Sequence, residues 1–199
     1  TETNMAILQP WNIVFAIGFV VYVVTRGMFA PVAKNNESMD RRVGLQEKLL
    51  LAAMLVTSLL FPVTYLFTPL FSFADYELPN WVHACGLVCM IVGLWLFWRS
   101  HVDLGANWSP TLDTRKGHEI IKHGVYRRIR HPMYSGIWLF SIAQALLLNN
   151  WVAGWGVIFA FALMYFLRTP KEEQMMIDHF GSAYEDYMTE TGRLFPRIR

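Results

Sequence analysis

The chain has 199 residues, of which 54% are hydrophobic, 15% aromatic and only 16% charged, with a net charge of +2. This balance excludes an ordinary soluble domain and indicates a membrane protein. The small positive charge is a matter of where basic residues sit, and it carries no nucleic-acid inference.

No charge falls between Glu2 and Arg26, Lys48 and Asp75, Glu77 and Arg99, or Arg130 and Arg168. A spanning helix needs about 20 mostly apolar residues, so the first three gaps predict one helix each. The last gap, split by Asn149 and Asn150, predicts two short helices in a tight hairpin that need not cross the whole bilayer. The fold class expected is therefore all-α, a polytopic membrane protein with five transmembrane helices and a cytoplasmic cofactor-binding region. We treat it as one integral-membrane domain, with residues 1–98 as a three-helix scaffold and 99–199 as the catalytic half.

Segment one, about Trp11 to Thr25, is apolar on all faces and reads as scaffold. The loop from Arg26 to Lys48 reads as solvated, with Pro31 as a helix stop and Gln46 to Lys48 as a polar lead-in. Segment two, about Leu49 to Phe67, has a kink expected at Pro62 and ends at Pro69. Segment three, Leu78 to Trp98, carries His83 near its outer end, read as an interfacial polar tip. Cys85 and Cys89 lie one helical turn apart within it and read as small packing residues beside Gly86 and Gly93, not as a metal pair or disulfide.

All 17 lysines and arginines lie in the first loop, in the loop from Arg99 to Arg130, or from Arg168 onward. Basic residues are retained on the cytoplasmic side. The N-terminus is thus expected outside, and the C-terminus and site in the cytoplasm, as an odd number of spans requires. No short apolar core precedes a small-residue cleavage site, so no cleavable signal is expected.

The inner loop holds the densest polar chemistry. Asn107, Ser109 and Pro110 suggest a turn, Thr111 to Gly117 a surface link, and Glu119 to His123 a short strand or helical turn. The stretch from Gly117 to Gly136, GHEIIKHGVYRRIRHPMYSG, packs in three histidines, two tyrosines, Glu119 and four basic residues, Lys122, Arg127, Arg128 and Arg130. Beyond the hairpin, Pro170 is expected to stop the membrane helix. Met175, Met176, Phe180 and Tyr184 then mark an amphipathic helix on the inner surface.

His118, His123 and His131 match no zinc spacing, so no metal is expected. No Gly-x-Ser-x-Gly turn and no Gly-x-Gly-x-x-Gly loop is present, which removes a nucleophilic serine and a Rossmann site. Arg168 ends the fifth segment, where an arginine must snorkel or be paired, and it reads either as an anchor or as a site residue. Thr169, Pro170 and Glu172 fit a capping box, whereas Glu173 has no such explanation. Both inner pieces leave the same hairpin and must meet at its base.

The stretch GHEIIKHGVYRRIRHPMYSG, followed by FLRTPKEEQMMIDHFGSAYEDYM and GRLFP, resembles the isoprenylcysteine carboxyl methyltransferase family in a compact prokaryotic form, over roughly residues 100–197. The paired pattern of Arg-His-Pro-x-Tyr-x-Gly and a Glu-Glu block is specific in combination. The first block alone also resembles phospholipid methyltransferases and some membrane reductases. The resemblance implies an S-adenosyl-L-methionine site, with S-adenosyl-L-homocysteine as product. It would be lined by His118, Glu119, Ile120, Ile121, Tyr126, His131, Pro132, Met133 and Tyr134 and closed by Glu172, with the choice between Glu172 and Glu173 open.

It further implies that Arg168 is the catalytic, substrate-binding residue facing an acceptor carboxylate. The acceptor would be a lipophilic small molecule or prenylated substrate entering from the bilayer among membrane lipids, with no nucleic acid and no metal. Eukaryotic members have additional N-terminal segments, so the acceptor could instead be another acid, a phospholipid amine or a thiol. A reductase of the sterol-reductase type would use NADPH, with Arg127, Arg128 and Arg130 around its extra phosphate. A non-enzymatic recruiting module would leave the convergence of His, Tyr and Glu unexplained.

Overall fold

A computed structural model describes residues 9–34, 38–41, 44–108, 113–115 and 119–197. Helix α1 (Pro10–Lys34) is followed by a short strand β1 (Ser38–Arg41). Helix α2 (Leu45–Leu55) passes through a wider turn of π type (Val56–Leu60) into α3 (Phe61–Phe67). Helix α4 (Asn80–Leu104) leads to strand β2 (Asp113–Arg115), and then come α5 (Pro132–Leu147), α6 (Gly156–Phe180) and α7 (Ser182–Glu190).

Among the described residues three stretches, Pro10–Pro31, Leu45–Phe67 and Asn80–Leu104, are long and apolar enough to cross a membrane, and α5 is a shorter apolar helix. Their outward residues, among them Ile17, Val20, Val24, Val88, Ile91 and Trp95, are exposed. Such faces suit lipid, where the helix satisfies its own backbone and no apolar surface meets water.

The prolines depart from expectation. Pro31 and Pro170 both lie inside continuous helices and stop neither. A proline removes one i to i−4 hydrogen bond. Around Pro170 the helix is held on both sides by buried residues, Arg168 and Thr169 before it and Glu173 and Met175 after it. The capping-box reading of Thr169 to Glu172 therefore fails, because no helix begins there. At Pro62 the disturbance is taken up by the π turn just before it. Here the fully buried Gln144 of α5 donates to the carbonyls of Thr57 (3.0 Å) and Ala153 (2.7 Å).

The loop read as solvated and the link read as free surface meet instead. β1 pairs antiparallel with β2, Asp40 opposite Thr114 and Arg41 opposite Asp113, so one short ribbon joins an otherwise helical fold.

Helices α4 and α5 touch backbone to backbone. A Cβ placed on Gly93 would lie 3.0 Å from the Gly136 carbonyl oxygen, and one on Gly136 would lie 2.9 Å from the Phe97 amide nitrogen. Of the two cysteines, Cys89 packs against the core while Cys85 is exposed, and both are free thiols.

At the far end of the bundle the α5–α6 turn is closed by Asn150. Its amide donates to Phe71 O (2.6 Å) and Asp75 Oδ1 (2.7 Å), and its Oδ1 accepts from the amides of Val152 and Ala153. His83 is no exposed tip: it is buried, shares a 2.9 Å hydrogen bond with Asn149 Oδ1, and stacks on Trp11. Its ring nitrogens lie within hydrogen-bond distance of Pro79 O and Asn149 Oδ1, and the nitrogen that carries the proton donates to its oxygen.

Candidate functional site

The opposite end is organised by where α5 begins. Pro132 takes the first helical position, which needs no amide hydrogen and suits a fixed φ. Its first turn then points His131 and Tyr134 the same way, their rings stacked at 5.4 Å. Upstream, Gly124 adopts a positive φ of 56°, and a Cβ there would collide with the Asp103 carboxylate. That carboxylate accepts from the Val125 amide (2.9 Å) and pairs with Arg99. The tight turn that results, Gly124–Arg127, buries Tyr126.

Beyond α7 the chain runs back beside this segment. Gly192 N donates to Arg128 O, Arg130 N to Gly192 O, and His131 N to Arg193 O. Ser135 Oγ adds a bond to Leu194 O (2.7 Å). The tail therefore does not lie apart on a surface. Helix α6 carries on past Pro170, and Met175 and Tyr184 are buried against the site.

The adjacent glutamates have opposite surroundings. Glu173 is enclosed by Arg130 (2.6 Å), His131 (3.2 Å) and Arg193 (2.5 Å). Burial pushes its carboxyl up, but hydrogen bonds from His131, Arg193 and Arg130 outweigh this and hold it well below the usual carboxylate range. Glu172 accepts a 2.6 Å hydrogen bond from Tyr134 OH and lines an open cleft. Its side chain is 32% exposed, against 5% for Glu173, so of the two Glu172 is the carboxylate a ligand could reach.

That cleft gathers most of the sequence-predicted residues: Glu119, Ile120, Ile121, Tyr126, His131, Met133, Tyr134, Arg168 and Glu172 all line it. Pro132 is buried in the wall behind them. His118 lies outside the described residues. Arg127 and Arg128 are exposed and do not line the cleft, and of that basic run only Arg130 does, already bonded to Glu173.

The sequence reading missed Arg26 of α1, Leu51 of α2, Trp108, Tyr184 and Tyr187, which also line the cleft. Tyr187 OH donates to Tyr126 O (2.6 Å), and Lys122 lies 5.7 Å from its ring centre. Burial pushes the phenols of Tyr126, Tyr184 and Tyr187 up, so each stays a neutral hydrogen-bonding group. The 175/176/180/184 spacing was the available signal for α6 and α7; nothing local marks Arg26.

Arg168 neither snorkels nor stands as a bare anchor. It is buried, with NH1 2.8 Å from Glu47 Oε1 and Nε 3.9 Å from Glu172 Oε2. Glu47, in the lead-in read as solvated, is buried too. Chemically, the cleft offers two reachable carboxylates, Glu119 and Glu172, the guanidiniums of Arg26, Arg130 and Arg168, of which Arg130 and Arg168 are held by Glu173 and Glu47, and a lining of Ile, Met and Tyr. That set suits a ligand with a flat apolar part and positive or hydroxyl groups, next to an anion.

Residues 86–178 match the model of the isoprenylcysteine carboxyl methyltransferase (ICMT) family. These residues belong to that family. The mouse protein-S-isoprenylcysteine O-methyltransferase is 31% identical over 124 residues, 60% of this chain and 43% of that protein. The fission-yeast protein of the same name is 29% identical over 132 residues, 64% of this chain and 52% of that protein. The chain thus spans about half the length of these curated relatives.

A probable protein-S-isoprenylcysteine O-methyltransferase from indica rice is 29% identical over 194 residues, 96% of this chain and 97% of that protein. That rice protein is matched over nearly its whole length, so the expectation that eukaryotic members have additional N-terminal segments does not hold for it. The solved structure of the eukaryotic intramembrane Ras methyltransferase ICMT aligns with a TM-score of 0.60 at 24% identity, over 96% of this chain and 69% of that one. The fold is ICMT-like, and the chain is an integral membrane protein. The family match ends at residue 178, so it covers Glu172 but neither Glu47 nor Tyr184.

Proposed function

We propose that the chain is an S-adenosylmethionine-dependent methyltransferase that esterifies the carboxylate of a lipophilic, isoprenylcysteine-like acceptor. The observation that carries this reading is Glu172: a reachable carboxylate, fixed by Tyr134, beside Arg168 in a cleft that also offers isoleucine, methionine and tyrosine side chains. The names of the relatives and the family match across this segment support the same chemistry.

Bound S-adenosylmethionine supplies a methyl group made electrophilic by its sulfonium sulfur. Glu172 accepts charge-assisted hydrogen bonds from ammonium or hydroxyl groups. Ile120, Ile121 and Met133 pack on a flat apolar base, and Tyr126 and Tyr134 offer faces to a positive charge. Glu119 and His131 complete the cofactor contacts, with His118 at the start of the same segment. Arg168 orients the acceptor carboxylate. That carboxylate is ionised at neutral pH, so the reaction needs no base; what remains is alignment and removal of water.

In this reading five segments cross or enter the membrane, the N-terminus is outside and the cleft faces the cytoplasm. The cofactor arrives from the cytosol and the acceptor from the bilayer. Residues 1–98 act as scaffold and 99–199 as the catalytic half of a single domain, with Arg26 and Leu51 reaching across.

Calorimetric titration of the detergent-purified protein with S-adenosylhomocysteine and, separately, NADPH tests the class. Binding of the first alone is expected; binding of NADPH alone would replace this reading with the reductase.

A further inference from the structure

We propose that Glu47 is a positioning residue for Arg168, and that the N-terminus of α2 thereby belongs to the acceptor site; this rests on the methyltransferase reading above. Arg168 lines the cofactor cleft on one side and, on the other, a separate crevice between α2 and α6 that contains Glu47. The two side chains are 8% and 5% exposed and meet at 2.8 Å. At this burial an isolated charge of either sign is strongly disfavoured, so the pair stands or falls together.

The backbone explains why the carboxylate sits there. Glu47 falls in the first turn of α2, after a Gly44 cap that provides no side-chain hydrogen bond. The unsatisfied amides and the positive end of the helix dipole favour a carboxylate at this place. One turn further along α6, Lys171 Nζ donates to Gln46, so two consecutive rungs tie α6 to the start of α2.

The geometry gives Glu47 a directional role. Its carboxylate pairs with NH1 at 2.8 Å, while Nε of the same guanidinium lies 3.9 Å from the carboxylate of Glu172, which lines the cleft. An arginine side chain otherwise has many rotamers, and ordering it at the moment of binding costs conformational entropy. With one end held by Glu47, the planar fork is presented to the cleft before any acceptor arrives. No bond to the acceptor is made by Glu47 itself.

The test uses the full-length protein in detergent and an S-prenylated N-acylcysteine as acceptor. Glu47→Gln is expected to lower kcat/KM for this acceptor by about tenfold or more, as for a displaced orienting group. Affinity for S-adenosylhomocysteine should stay within about twofold, which also reports that the variant is folded. In an Arg168→Ala background the same change should add nothing, the signature of one residue acting through the other. Glu47→Asp should keep more acceptor activity than Glu47→Gln.

Unchanged acceptor kinetics in Glu47→Gln, a lowered KM, or a loss simply additive with Arg168→Ala would overturn the role. If Glu47→Gln fails to bind the homocysteine product, Glu47→Asp decides: raised KM with normal product affinity supports the role, and wild-type kinetics overturn it. Failure of the wild type to bind the product would sink the methyltransferase reading itself, a separate result.

Discussion

Where α5 turns into α6, Asn150, Asn149, His83 and Tyr76 spend their polar atoms on neighbouring backbone and on one another. At the other end of the same helices, Glu173 is saturated by three basic groups while Glu172, one residue earlier, faces a cleft. Both ends are polar islands in an apolar protein, yet the first closes a turn and the second leaves part of its hydrogen-bonding capacity for a ligand. The contrast teaches that buried polarity by itself marks no site. What marks it is a charged group only partly used.

Three substitutions and one pH titration would break or sharpen this contrast. The largest effect is expected from Glu173→Gln, which strands Arg130 and Arg193 around an uncharged amide. Breaking a buried ion pair costs about 3–5 kcal/mol, and the thermal midpoint in detergent should fall accordingly. The same residue predicts an acid limb. Its native pKa is depressed, so its stabilisation is complete above the unfolded carboxylate pKa of about 4.3 and is lost as pH falls below that toward the lowered native value. Stability against pH should show this slope in the wild type and a shallower one in Glu173→Gln.

Asn150→Ala, at the other end, removes the acceptor of two turn amides and the donor to Phe71 and Asp75. The loss should be about 2–3 kcal/mol of stability, while product affinity per folded molecule, measured by calorimetry, stays unchanged. Glu172→Gln should move stability least. Its effect belongs in the titration, where affinity for S-adenosylhomocysteine should fall by about tenfold, in keeping with the loss of a hydrogen bond to a charged group. A Glu172→Gln protein that unfolds easily but binds normally would reverse the contrast between the two glutamates.

Much of this was legible in the chain. Charge-free gaps marked the apolar helices, and nine of the site residues expected from the two inner motifs line the cleft. The prolines misled, because a missing amide costs one hydrogen bond and tertiary contacts on both sides of Pro170 outweigh it. His83 and Glu47 misled for a related reason. Each stands alone in sequence, and only the fold brings its partner, Asn149 or Arg168, from 66 or more residues away. The choice between Glu172 and Glu173 could not be made from adjacent letters, since it depends on which way a helix faces.

The contact between Gly93 and Gly136 fixes something the lining residues cannot. Helix α4 ends at Leu104, on one wall of the cleft, and the first turn of α5 places Met133 and Tyr134 on another. Between them the two backbones already touch. The helices can come no closer, and a single added methyl would wedge them apart. The aperture is thus a property of the main chain: substitutions among the tyrosines, isoleucines and methionines can retune what the cleft recognises, while the span between its walls stays the same.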